Sequence, residues 1–204
     1  LSGGQIDGTG AITATDGNVV LNSTVDSETS TLTGTITATT GSISTVGGTY
    51  AVTTMTANAG GVTIAGDASG TFTNVNATGS AVRLTTSGNV TLTTVDTGIV
   101  AASGTGDYAL GTVTSSTSAL VQITTGTGDD SVTLNADDKY IVSMGDGADA
   151  VVATDTAAAS VINLGDGADT LTPTAGAYQG TTDGGDGSDT VVLATGDYAG
   201  DGVW

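Results

Sequence analysis

The 204-residue sequence predicts an all-β chain: a parallel β-helix or β-roll solenoid of about nine coils, each of roughly 20 residues. Three observations carry that expectation. The phrase G-x-G-x-D occurs four times, beginning at Gly126, Gly145, Gly165 and Gly185, so that successive copies are 19, 20 and 20 residues apart. The rest of the chain is built from short β-branched runs broken by glycine, with almost no helix signal. Large side chains are scarce: aromatics make up 3% of the chain, and there is one Phe and one Trp. A globular core cannot be built from so few, whereas a solenoid needs only a few Val, Ile, Leu and Ala per coil packed against the next coil.

Taken in order, residues 11–25 read as a strand, an Asp-Gly turn and a second strand. Residues 26–33 are polar, hold the only Glu, Glu28, and read as a loop bulging from the stack. Residues 35–55 again give strand, turn and strand, with an extra turn at Gly47-Gly48. Val62-Thr63-Ile64 leads through a turn at 66–70 to Thr71-Phe72-Thr73. Val82-Arg83-Leu84 leads through Ser87-Gly88 to Val90-Thr91-Leu92. Ile99-Val100-Ala101 leads through Gly104-Thr105-Gly106-Asp107-Tyr108 to Ala109-Leu110, a turn with both glycines of the phrase but Tyr108 in place of its Asp.

In the second half the phrase sets the register. Ile123, Val142 and Ile162 are equivalent before the turn, and Val132, Val151, Leu171 and Val191 after it. Two residues on, Leu134, Ala153, Pro173 and Leu193 are equivalent and point inward with them, since residues two apart share a strand face. Thr133, Val152, Thr172 and Val192 then point outward. Pro173, the only proline, lacks an N–H for the ladder and marks a strand end. The chain divides into residues 1–118, coils without the phrase, and residues 119–204, coils with it, continuous with the first.

The phrase has a chemical logic. Glycines at i and i+2 permit positive φ, so the chain turns sharply and aims carbonyls at one point. The Asp at i+4 adds a carboxylate, and hard oxygen donors grouped in this way suit calcium, which takes six to eight of them. Gly184 to Val192 matches the calcium-binding nonapeptide G-G-x-G-x-D-x-U-x at every position. The other copies lack only its first glycine, replaced by Thr125, Met144 and Leu164. Coiling brings Asp130, Asp149, Asp169 and Asp189 to about 5 Å spacing, where like charges repel by roughly 1 kcal/mol per pair even in water. Bound cations reverse that sign. The second turn of each coil holds Asp137, Asp138, Asp155 and Asp197, which read as solvated turn residues rather than a second column of ligands.

Formal net charge is −19, with Arg83 and Lys139 the only basic residues. That balance excludes a nucleic acid held through its phosphates and disfavours an anionic membrane surface. Seven of the 21 acids precede residue 126 and 14 follow it, so acid is concentrated where the phrases are. With no Cys there are no disulfides, and metal is the natural substitute as a stabiliser of a thin core. With no His, no Cys and two isolated basic residues, a catalytic role is not expected.

Gly126 to Leu134, the run KYIVSMGDGAD at 139–149, Gly184 to Val191 and the Lys-poor Thr/Ala/Gly/Ser stretch before them resemble RTX proteins, most of all RTX-type bacterial surface-layer proteins. The resemblance implies type I secretion and an extracellular, cell-surface location. It also implies a structural role in a lattice of copies of the same chain, assembled by calcium and anchored, through another region of the parent chain, to a component such as lipopolysaccharide. It implies a ligand set as well: carboxylates of Asp130, Asp149, Asp169 and Asp189, with carbonyls of Gly126, Thr127 and Gly128, of Gly145, Asp146 and Gly147, of Gly165, Asp166 and Gly167, and of Gly185, Asp186 and Gly187. Ions between successive turns would number about three or more. The alternatives are the stalk of an RTX adhesin, a non-catalytic module of a secreted polysaccharide enzyme and, through outward pairs such as Thr13/Thr15, Thr37/Thr39 and Thr91/Thr93, an ice-binding surface. The last is disfavoured because those pairs are not expected at one coil position.

Overall fold

A computed structural model describes residues 2–24, 29–118, 120–135, 138–154, 160–174, 180–193 and 201–203. The chain is a solenoid of two parallel sheets facing one another across a narrow core, one of eleven strands and one of ten. Successive strands alternate between the sheets, and every named pairing is parallel. Among the described residues there is no helix, and so none long and apolar enough to cross a membrane.

The core is a set of ladders, each filled by one residue per coil. In the ten-stranded sheet Leu32, Val52, Phe72, Leu92, Leu110, Val132, Val151 and Leu171 stand in register. All are buried. Opposite them, in the eleven-stranded sheet, run Val19, Ile43, Val62, Val82, Val100, Ile123, Val142 and Ile162. Each ladder residue loses water on both coil faces, so modest side chains suffice. The described aromatics Tyr50, Phe72, Tyr108 and Tyr140 are buried in this core, and the rings of Tyr50 and Phe72 lie 6.2 Å apart, tilted by 35°.

The equivalences expected around the phrases hold, and strand Thr170–Pro173 ends on the proline. The two sheets run without interruption across residue 118: Ile99–Ala102 pairs with Leu120–Thr124. Three expectations need correction. Residues 29–33 are not a bulging loop but the start of strand Thr29–Ala38, because Ser30 and Leu32 alternate inward and pair with Tyr50 and Val52. Leu193, expected inward, is 55% exposed. Outward threonines do stack: Thr13 pairs with Thr37 and Thr37 with Thr56, while Thr71 pairs with Thr91 in a separate column. Thr93 and Thr94 are both exposed between inward Leu92 and Val95, so the in-out alternation slips by one residue within the strand.

Candidate metal centre

The phrases form the corner that leads from the eleven-stranded sheet to the ten-stranded one. Their stacked turns make a third, narrow parallel ladder: Thr127 bridges Asp146, Asp146 bridges Asp166, and Asp166-Gly167 pairs with Asp186-Gly187. The second glycine of each copy has φ between +140° and +156°, and Gly145, Gly165 and Gly185 lie between +92° and +102°. Gly126 has no positive φ; its place is fixed by close stacking, since an added Cβ would strike the carbonyl oxygen of Gly104.

Many of the carbonyls expected to face an ion are engaged along the solenoid axis. The oxygens of Gly126, Gly145 and Gly165 accept from the N–H of Asp146, Asp166 and Asp186 at 3.2, 2.9 and 3.1 Å. Those of Asp146 and Asp166 accept from Gly128 and Gly147 at 2.9 and 2.8 Å. Each keeps a second lone pair. The side chains of Thr127, Asp146, Asp166 and Asp186 are exposed and leave the turn.

The aspartates behave differently. Asp130, Asp149 and Asp169 are each 1% exposed, which is rare for a carboxylate. Oδ1 of each reaches one coil back to a backbone N–H: Asp130 to Tyr108 at 2.7 Å, Asp149 to Asp130 at 2.8 Å, Asp169 to Asp149 at 2.8 Å. Half-buried Asp189 does the same to Asp169 at 3.1 Å. One oxygen per carboxylate thereby caps the ladder. The other does not: Oδ2 of Asp130, Asp149 and Asp169 is buried and has no hydrogen-bond partner.

Burial is the main reason these acids titrate high. Asp149 is pushed up to about 7 by desolvation, held back by the Asp130 N–H and raised further by the charges of Asp130, Asp169 and Asp129. Asp130 and Asp169 are raised for the same first reason, with the N–H groups of Tyr108 and Asp149 opposing. At the position of the first nonapeptide glycine, a Cβ on Gly184 would strike Asp189 Oδ2. The equivalent positions in the other copies hold Thr125, Met144 and Leu164, all buried, which deepens the desolvation.

Where the phrase carries Tyr108, the column ends. Ala109 pairs with Ser131, which places Tyr108 level with Asp130; its hydroxyl donates to Thr86 O at 2.6 Å across the corner. A second column was missed in the sequence. Asn89 and Asp107 bond one another through Asn89 Nδ2 to Asp107 Oδ2 at 3.0 Å. Asp107 Oδ1 then accepts from Asp129 N, and Asp129 Oδ1 from Ala148 N. Its signal was the Asp at the fourth position of both GTGD runs.

Among the described residues no three Asp or Glu side chains converge as a ligand cluster. A cation here would rest on one or two carboxylate oxygens and on turn carbonyls, a donor set that suits calcium rather than a metal needing nitrogen or sulfur. The three orphaned Oδ2 atoms fit such a group, because each is a desolvated anionic donor without a hydrogen-bond partner, although at Asp130 the nearby Thr125 hydroxyl and Gly126 N–H also favour the charged form. Asp138 of the opposite edge instead accepts a hydrogen bond from Ser115 N at 3.1 Å, while Asp137, Asp155 and Asp197 lie outside the described residues. Comparison with family models, with curated proteins and with solved structures finds no match to this chain.

Proposed function

We propose that this chain is a calcium-stabilised structural segment of an extracellular bacterial surface layer of the RTX type, associating with copies of itself. The observation that carries this reading is the column of buried, unpartnered Oδ2 atoms at Asp130, Asp149 and Asp169. Native proteins rarely leave such groups uncompensated, and a repeat that does so in three successive coils calls for a common partner.

Asp130, Asp149 and Asp169 would hold the ion through Oδ2, with Asp189 at the end of the column and carbonyls of the glycine turns beside them. A bound calcium supplies positive charge that offsets both the desolvation and the mutual repulsion of the carboxylates. The chain's own part is to fix Oδ1 on the preceding coil, which holds Oδ2 in place. The role is mechanical rather than catalytic: the engaged residues belong to stacked turns, and ordering those turns orders the coils they join.

Circular dichroism, limited proteolysis and electron microscopy of the chain in millimolar calcium and in EGTA test the reading. Calcium is expected to protect residues 126–193 and to support two-dimensional sheets. Identical protection with and without chelator refutes the metal, while protected but isolated rods move the function to an adhesin stalk.

A further inference from the structure

The turns opposite the aspartate corner are unequal, and the inequality creates a groove. Five residues, 77–81, join strand Ser69–Asn76 to Val82–Thr86, and five, 115–119, join Tyr108–Thr114 to Leu120–Thr124. Between them only Thr97 and Gly98 join Val90–Asp96 to Ile99–Ala102. A short turn between two long ones leaves a notch of about 380 Å³. The walls meet over it: Thr117 Oγ1 donates to Thr78 O at 3.3 Å, 39 residues back in sequence. Below, Thr97 Oγ1 donates to Ser80 O at 3.1 Å and pins the short turn to one wall. The notch is thus braced on two sides.

Its lining is unlike the rest of the chain. Arg83, the only arginine of a chain of net charge −19, reaches into it and has no carboxylate partner among the described residues. Thr78, Ser80 and Gln122 present hydroxyl and amide groups for which no partner is found among the described residues. Ile99, 42% exposed, supplies an apolar surface beside Gly98. The volume is that of a small-molecule site. A planar guanidinium favours a carboxylate or phosphate, hydroxyls and an amide favour a polyol, and an exposed aliphatic side chain favours the apolar face of a sugar ring.

We propose that this groove binds an acidic saccharide, a sugar unit bearing a carboxylate or phosphate, with Arg83 on the anionic group, Gln122 and Ser80 on ring hydroxyls and Ile99 under the ring. The groove lies on the corner opposite the aspartate column and does not depend on calcium. It would let the solenoid hold an acidic glycan directly.

The test is an NMR or calorimetric titration of the whole chain with a trigalacturonate, its neutral galactose counterpart, a sugar phosphate, inorganic phosphate and a glutamate-rich peptide, each in calcium and in EGTA. The trigalacturonate or the sugar phosphate, or both, is expected to bind equally in both buffers, with shifts at residues 78–83, 98–99 and 117–122; which of the two binds identifies the anionic group. Arg83→Gln should weaken it about tenfold, the loss of one charge-assisted hydrogen-bonded contact. Gly98→Ala should also weaken it: the added Cβ lies 3.4 Å from that of Ser118, ordinary contact that narrows the floor without disturbing the fold. Unchanged melting temperatures of both variants separate lost binding from lost folding. No binding of either acidic saccharide, equal binding of the neutral sugar, preference for the peptide or for free phosphate, indifference to Arg83→Gln, or binding seen only in calcium would each overturn the proposal.

Discussion

Asp149 Oδ1 accepts a 2.8 Å hydrogen bond from the backbone N–H of Asp130, one coil earlier, while Asp149 Oδ2 lies buried with no partner. The two oxygens of one carboxylate therefore do different things. Oδ1 closes a corner where sheet hydrogen bonding would otherwise lapse. Oδ2 carries charge into a place without water.

Asp149→Asn separates the two. Asparagine keeps an acceptor for the Asp130 N–H and removes the charge. At pH 8 in EGTA the variant should be more stable than the parent by about 1–3 kcal/mol, the relief of a buried anion less the cost of a buried amide without partners. In 10 mM calcium it should be less stable than the parent. Asp149→Ala orphans the Asp130 N–H and should lose about 1–3 kcal/mol in both buffers. Thermal melts in the two buffers give the signs, and a variant that ranks the same way in both would remove calcium from the column.

The metal-free chain should be more stable in mild acid than at neutral pH. Asp149 titrates near 7 in the fold and near 3.8 when unfolded, so between those values the folded chain binds more protons. Stability then falls as pH rises from about 4 to about 7 and levels off above, the reverse of a salt-bridged carboxylate. Asp130 and Asp169 are raised as well and add to the slope. Urea midpoints at pH 5 and pH 8 in EGTA measure it. Because the −19 net charge slopes the same way, the contribution of the column is the part that Asp149→Asn removes.

The coils and their register were legible from four phrases alone, since a period of 19 to 20 residues with an apolar residue two places after each Asp leaves one way to stack. Ser30 and Leu32 were misread because a run with one apolar residue among seven polar ones resembles a loop until pairing with Tyr50 and Val52 shows their alternation. The depth of Asp130, Asp149 and Asp169 was not legible either. Sequence places them at a turn, and turns are normally wet; only the coil's curvature turns their carboxylates back onto the previous N–H. The groove at Arg83 depends on the mismatch of three turn lengths, which a period averaged over the chain hides.

Gly147→Ala tests the stacking of the turns. Gly147 has φ +148°, and a Cβ there would strike the carbonyl oxygen of Gly128, which cannot move without breaking the ladder below it. Backbone strain of this kind costs on the order of 1–3 kcal/mol before any clash is counted. The variant should melt well below the parent and lose its calcium response, whereas Gly98→Ala should melt like the parent.

Tyr140→Phe should cost more than Tyr108→Phe. Tyr140 OH donates to Val113 O at 2.7 Å and accepts from Asn135 N at 2.9 Å, so its loss orphans a donor and an acceptor. Tyr108 OH donates to Thr86 O and is approached by the Gly106 and Gly104 N–H groups, neither of which forms a full hydrogen bond to it. With each orphaned buried group worth about 1–3 kcal/mol, the difference should be visible in urea midpoints. Equal losses would mean that water reaches the Asn135 end of the corner.

Calcium and protons should compete for the same oxygens. If the ion takes Oδ2 of Asp149, binding releases the proton held there below pH 7. For an affinity of about 0.1–1 mM, 10 mM calcium stabilises by about 1.4–2.7 kcal/mol per site at pH 8. At pH 5.5 the gain should shrink severalfold, because Asp149 is then mostly protonated. Magnesium at equal concentration should give little, since it demands a tight octahedron that a stack of β-turns does not offer. Sodium chloride at matched ionic strength reports the screening of the net charge alone. A stabilisation by calcium that is independent of pH, and matched by magnesium, would assign the effect to the exposed carboxylates of Asp146, Asp166 and Asp186 instead of the buried column.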